Sequence, residues 1–458
     1  MVKGIGMLML LLGWMAVLAQ ENVLEAYVQE GLQNNLALQQ QEFSLQQAVR
    51  GLHKARGMFF PSVTIEARYS RAGGGRTIDF PAGDLLNPIY ATLNELLAGQ
   101  GIPPRFPTDV ENVTIPFLRE KEHDTKVRVI QPLVQPALWH NYSLQKHLLE
   151  VQRAQKQAFA RQLVAEIKTA YFTYLKAVKV VDLFRETETL LQENLRVSES
   201  LFRHQKATQE VVFRARAELS ELQQHLSEAE KNRILAASYF NFLLNRPLNA
   251  PIVEIPDSAL AVTGEVDSAA AQISALRHRE EFRQLSEALK AAGSQVGLAR
   301  AAFLPGISLV YDYGFQGEKY RFGKQDDYWM ASVVLRWNLF HGFQDKAAMQ
   351  QAQIQRKKLR VQQQELEQQI ALQVQEAYEN VVVARQTLLA AQERVISARK
   401  SFEIVRKKYR EGMAPQIEFL DARTTLTRAE INHILARYDY HIRLAELERV
   451  AALRSLEQ

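Results

Sequence analysis

The side chains able to bind a metal or move a proton are scattered along this sequence. It has ten histidines, and His140 with His147, and His433 with His441, have roughly helical spacing. No carboxylate cluster beside either pair completes a zinc site, whose ligands must converge on one ion. Cysteine is absent, which removes disulfides, thiol nucleophiles and thiolate-bound metals together. There is no phosphate loop, no glycine-rich dinucleotide turn and no nucleophile elbow. Gly73-Gly74-Gly75 lacks the strand-to-helix setting such motifs need and reads as a flexible loop. The pattern therefore predicts no enzyme, no metal and no cofactor.

Composition narrows the class further. The chain has 458 residues, 47% hydrophobic and 23% charged, with a formal charge of +5. Its basic residues interleave with acidic ones along helical stretches, so no nucleic-acid groove is expected. Lys3, the apolar run from Ile5 through Trp14 to Leu18, and the small residue Ala19 predict a secretory signal peptide over 1–19. No lipid anchor is expected, because no cysteine follows that peptide. No later segment reaches about 18 consecutive apolar residues, the minimum for a spanning helix. An exported chain of this kind is either soluble in the periplasm or a β-barrel.

The elements of the chain occur twice. Lys54-Ala-Arg-Gly-Met-Phe-Phe-Pro61 matches Leu298-Ala-Arg-Ala-Ala-Phe-Leu-Pro305, about 244 residues on, and each opens an alternating segment. Val127–Leu133 matches Val333–Leu339, Ala170-Tyr171 matches Ala377-Tyr378, and Leu201–Ala217 matches Lys408–Thr424, about 207 residues on. The smaller offset places an insert between the strands of the first copy, over 71–124, with a short helix at Asp84–Leu97. The expected divisions are a first repeat over 20–245, a turn-rich linker over 246–268 and a second repeat over 269–458. Each repeat reads helix, strand, loop, strand, very long helix, long helix. Residues 137–205 and 344–411 hold no proline and no glycine. Runs of that length extend on the order of 100 Å. Their apolar stripe, as in Leu163, Ile167, Ala170, Tyr174 and Val178, must lie along other long helices, as in a coiled coil or helical barrel. The glutamines between Gln350 and Gln375 read as the solvated face of such a helix.

The short strands alternate. Val63, Ile65, Ala67 and Tyr69 share one face, against Thr64, Glu66, Arg68 and Ser70. Ala331, Val333, Leu335 and Trp337 oppose Ser332, Val334 and Arg336, with Tyr328 and Trp329 at one end, where an aromatic girdle would sit. A half-buried strand of a soluble sheet alternates in the same way. In an exported chain the pattern fits barrel strands with Val63, Ile65, Val333, Leu335 and Trp337 facing lipid. Four strands cannot close, and an open edge in lipid leaves backbone groups unpaired, so several chains would have to share one barrel. The fold class expected is an α+β membrane protein, with four strands per subunit in a shared barrel and long antiparallel coiled-coil helices.

With this order in hand, the chain resembles the TolC family of outer-membrane efflux proteins over nearly its whole mature length. Glu30–Leu38 is similar to the family's first helix, and Pro61 and Pro305 to its helix-to-strand junctions. Tyr409-Arg-Glu-Gly412 followed by Ile417-Glu-Phe-Leu-Asp421-Ala-Arg-Thr-Thr-Leu426 is similar to its YxxG…(D/E)xLDAxxxL signature. The resemblance implies a homotrimer in the outer membrane, reaching into the periplasm and docked to an adaptor and an inner-membrane pump. It implies a passive conduit for small toxic molecules or, in type I secretion, for polypeptide. It places Glu418 and Asp421 at a periplasmic aperture, and Tyr409 and Gly412 in the tip turn. A ring of such carboxylates would favour cations and raise its own pKa values. The chain departs from the family in three places. Ala414 replaces a family arginine that helps lock the closed state. Gln205 stands where the second repeat has Gly412. Val211 and Arg214 replace the two acids, leaving one acidic helix pair per subunit. The rival class is a soluble periplasmic coiled-coil scaffold.

Overall fold

The computed structural model describes residues 23–256, 260 and 267–454. The expected signal peptide lies outside them, as does part of the expected linker. The helices are α1 (23–34), α2 (Leu36–Gly57), α3 (Ala82–Gly99), α4 (Pro136–Arg203), α5 (Gln209–Leu243), α6 (Ser268–His278), α7 (Glu280–Ala301), α8 (Gln344–Arg410) and α9 (Gln416–Val450). The strands are β1 (Ser62–Arg71), β2 (Thr77–Phe80), β3 (Val113–Pro116), β4 (Lys121–Val134), β5 (Gly306–Gly317) and β6 (Asp327–Arg336). Two compact units result, each drawing on both halves of the sequence.

Among the described residues, the helical unit comprises those up to Leu52, those within Ser143–Gln295 and those from Gln350. In α8, Ile370, Val374, Ala377, Val381, Leu388, Ala391, Ala398 and Phe402 are buried. They fall on two interleaved seven-residue repeats, the seam of a coiled coil. In α4 the buried stripe runs from Leu163 to Ser198 at three- and four-residue steps. Three apolar clusters fill the unit: around Ile167, Tyr171, Leu175 and Phe240; around Ile370, Val374, Tyr440 and Leu447; and around Val181, Leu191, Phe402 and Phe419. Asn35 separates α1 from α2. Its side-chain oxygen accepts from the Leu38 amide at 3.0 Å, and its amide donates to the Leu243 carbonyl at 2.8 Å. The segment that resembles one helix, Glu30–Leu38, therefore contains a capped break.

The strand unit comprises His53–Tyr142 and Val296–Met349. Its sheet is antiparallel in the order β1-β4-β5-β6. β4 pairs with β1 on one side and β5 on the other, so β1 and β6 are the sheet's edges. The strands have 10, 14, 12 and 10 residues. The insert is shorter than the expected 71–124, because β1 runs through Arg71 and β4 begins at Lys121. Paired residues Arg71 and Lys121 extend the ladder past the point where composition turns glycine-rich. The expected helix is present as α3, one turn longer, between β2 and β3. Asn side chains tie it down: Asn87 exchanges bonds with the Val110 backbone, and Asn94 accepts from the Arg105 and Phe106 amides.

Candidate functional site

Two places carry the predicted functional residues, the turn between α8 and α9 and the two faces of the sheet. The first is a helix stop. The Met413 amide donates to the Lys408 carbonyl and the Gly412 amide to Tyr409, with Gly412 at φ 75°. This is a Schellman closure, which requires a left-handed residue. The turn between α4 and α5 is built alike. Lys206 donates to Leu201, Gln205 donates to Phe202, and Gln205 itself takes φ 57°. A side chain thus occupies a conformation that glycine adopts freely.

Tyr409 is the last rung of the α8 seam. Its ring stacks on Phe419 of α9 at 4.9 Å. Its hydroxyl bonds the Asn194 and Ser198 side chains of α4, while burial raises its pKa. The Gln416 amide donates to the same two residues, at 3.3 Å to Asn194 and 3.0 Å to Ser198. Asn194, Ser198 and Gln416 are all buried. A few turns away the Arg423 guanidinium lies over Phe402, 5.6 Å from the ring centroid, and donates to the Thr187 hydroxyl at 2.6 Å. The end of the hairpin is thus held by a polar knot joining α4, α8 and α9. Sequence reading identified Tyr409 but missed its partners. Polar residues on the otherwise apolar stripe, Thr187, Asn194 and Ser198, were the available signal.

Glu418 and Asp421 are both exposed, as sharing a helix face allows. Val211 and Arg214 were expected to leave α5 without an acid at the equivalent positions, yet the Asp421 charge acts on Glu218 of that helix. Burial raises the Glu218 carboxyl above its ordinary value, and the Glu221 and Asp421 charges push it the same way. Glu218 is one turn beyond Arg214, the position that sequence alignment of the halves selects. Arg214 pairs with Glu210 at 3.0 Å instead. Alignment by offset selects Arg214; the α5 acid that feels the Asp421 charge lies one turn on.

The sheet has two chemically distinct faces. The register puts Ile65, Val127, Tyr313 and Trp329 in one row and Val63 and Val129 in another, with Tyr311 and Ala331 beside them. This face is apolar and open: Ile65 is 77% exposed and Val333 69%, and Val63 and Leu335 are exposed too. The opposite face is charged. Arg128 donates from Nε and Nη2 to the two Asp312 oxygens, each at 2.8 Å, and reaches Glu66 at 3.1 Å. Lys126 bonds Asp124 at 2.8 Å. Such a row of bidentate and charge-assisted bonds orders the face without needing a packed layer over it. Two placements differ from expectation. Tyr328 points to the charged face, where its hydroxyl donates to Asp124 at 2.9 Å, while Trp329 lies in the apolar row. Trp337 follows the end of β6 rather than lying in it, exposed, with its indole N–H on the Phe303 carbonyl at 3.1 Å.

Among the described residues no group of three or more His, Asp or Glu is placed to hold a metal. His147 pairs with Glu287 at 2.8 Å, and His441 is buried against Phe172. No described helix is long and apolar enough to cross a membrane.

This combination of coiled-coil helices with a small two-faced antiparallel sheet is the fold of solved outer-membrane channels. The Campylobacter jejuni CmeC outer membrane channel superposes with a TM-score of 0.74 at 16% identity, covering 94% of this chain and 85% of that one. The Neisseria gonorrhoeae MtrE channel in its open state gives 0.73 at 17% identity, covering 94% and 88%. Residues 272–452 match the model of the outer membrane efflux protein family. Among curated relatives, the probable efflux pump outer membrane protein TtgC of Pseudomonas putida is 25% identical over 287 residues, 58% of this chain and 56% of TtgC. The outer membrane protein TolC of Salmonella enteritidis is 22% identical over 342 residues, 71% and 68% of the two chains. The chain thus spans a little over half the length of TtgC.

Proposed function

We propose that this chain is one subunit of an outer-membrane exit duct of an efflux pump, conducting small molecules passively from periplasm to exterior. The observation that carries this reading is the four-stranded sheet, with one open apolar face, one charged face and two unpaired edges. In lipid, every edge group lacking a partner costs several kcal/mol. Pairing β1 of one copy with β6 of the next removes both edges. Strands of 10 to 14 residues suit a tilted membrane span. The apolar row faces lipid and the Arg128–Asp312 row faces the lumen.

Three copies, the number that the likeness to the TolC family implies, give twelve strands and a closed helical tunnel. The equal lengths of α2 and α7 (22 residues) and of α5 and α9 (35 residues) support a duplicated unit within each subunit. Tyr409 and Gly412 form the tip turn, and Glu418 and Asp421, with Glu218, ring the periplasmic aperture. Energy for transport comes from an adaptor-coupled inner-membrane pump, since this chain is a conduit and not a catalyst.

Conductance of the purified protein in a planar bilayer tests this. Native protein gives a cation-selective pore. Glu418→Ala with Asp421→Ala lowers that selectivity or raises conductance. An unchanged pore sinks the carboxylate assignment while keeping the channel. No pore from folded, inserted protein sinks the channel.

A further inference from the structure

The end of the sheet opposite the insert carries aromatic side chains and positive charge together. Four segments meet there within the strand unit: 53–62, 132–142, 296–306 and 337–349. Trp139 is 67% exposed and Phe340 71%, and Phe60, Trp337 and Phe343 are exposed beside them. Phe343 takes φ 63° directly after Gly342 at φ 56°. A bulky residue rarely adopts that conformation. Here its ring is left in solvent, edge-on to Phe340 at 5.3 Å. Burial of the ring within this chain is therefore not what holds the loop in place.

The charge is one-sided. Across the four segments, Lys54, Arg56, Arg300 and Lys346 are exposed, and Asp345 is the single acid. None of the four cations forms an ion pair with a described residue. Lys54, Arg56 and Arg300 occupy the last turns of α2 and α7, where the helix dipole favours cations in any protein. Lys346 does not fit that account. It lies in the first turn of α8, the end where the dipole disfavours a cation. Its charge gains nothing from the helix and stands open to an anionic partner.

We propose that this collar binds anionic phospholipid headgroups at the membrane surface, with the aromatic rings at the headgroup boundary and the four cations on the phosphates. The inference rests on the barrel reading above. Continuity argues for lipid as the occupant. The collar adjoins the apolar face at Val63 and Leu335, and aromatic rings with a polar edge settle where acyl chains meet water. Sign argues for anionic lipid, because surface cations within a Debye length of such headgroups are each stabilised.

Two tryptophans make the collar its own reporter. In W329F, those remaining in residues 20–458 are Trp139 and Trp337. The full-length variant is reconstituted in phosphatidylcholine vesicles containing equal fractions of brominated phosphatidylglycerol or brominated phosphatidylcholine. The expected result is an apparent preference for the anionic quencher of about fivefold, the effect of one surface-held cation. It shrinks in high salt and in W329F carrying K54Q, R56Q, R300Q and K346Q, which retains its helical circular dichroism. Equal quenching by both lipids overturns the proposal, as does a preference that survives the four substitutions. Quenching by neither lipid contradicts the barrel reading instead.

Discussion

The buried seam of the helical unit changes character along its length. Around Ile167, Leu175 and Phe240, each fully buried, its rungs are apolar. At the α8–α9 end, equivalent inward positions are Thr187, Asn194, Ser198 and Gln416, joined by hydrogen bonds and by Tyr409. Apolar packing is non-directional and holds one arrangement by volume. A hydrogen-bonded knot is directional, and its groups find equivalent partners in water once exposed. The first region is suited to staying closed. The second is suited to two states, as the proposed aperture would require.

Substitutions can break that contrast. Ile167→Ala in the apolar region should cost about 2–5 kcal/mol, through lost burial and the cavity left behind. Denaturant unfolding of the detergent-solubilised protein measures it, and channel selectivity should be unchanged. His441 should make stability pH-dependent. Burial lowers its pKa from 6.5 to about 4, with the Arg437 charge acting the same way. The unfolded chain therefore takes up a proton that the folded one refuses. Stability is full above pH 6.5 and declines as pH falls towards 4, by about 3 kcal/mol in all. His441→Phe should remove that slope, as unfolding at pH 7 and pH 5 would reveal. The smallest effect belongs to the tip. Tyr409→Phe deletes one hydroxyl between Asn194 and Ser198, worth about 1 kcal/mol. Its mark should be a larger open fraction in single-channel records, with the unfolding midpoint scarcely moved.

Much of the architecture was legible because its signals are local. The proline-free runs gave α4 and α8 nearly to the residue, and alternation gave both faces of β1. Gly412 could be assigned to a left-handed stop from its place after Tyr409. Partners were not legible, because a seven-residue repeat fixes which side of a helix is buried without saying against what. Asn194 and Ser198 lie more than 200 residues from Gln416 in sequence. Glu218 escaped because matching the halves compares equivalent positions, whereas the charge of Asp421 also acts on an acid one turn further on. Tyr328 was misplaced for a related reason: its ring suits a membrane girdle, but strand parity and Asp124 decide its direction.

The central claim is that β1 and β6 pair between copies. Within one chain they are separated by β4 and β5. At about 4.8 Å per strand spacing their backbones stand roughly 14 Å apart, beyond the reach of a disulfide. The natural absence of cysteine makes the test clean. A panel pairing one cysteine in β1, from Val63 to Ala67, with one in β6, from Ala331 to Leu335, is oxidised in membranes and run under denaturing conditions. The account predicts covalent oligomers that stop at a closed ring, three chains long, for at least one register of the panel. Monomers across the whole panel, with both thiols reactive to maleimide, would contradict it.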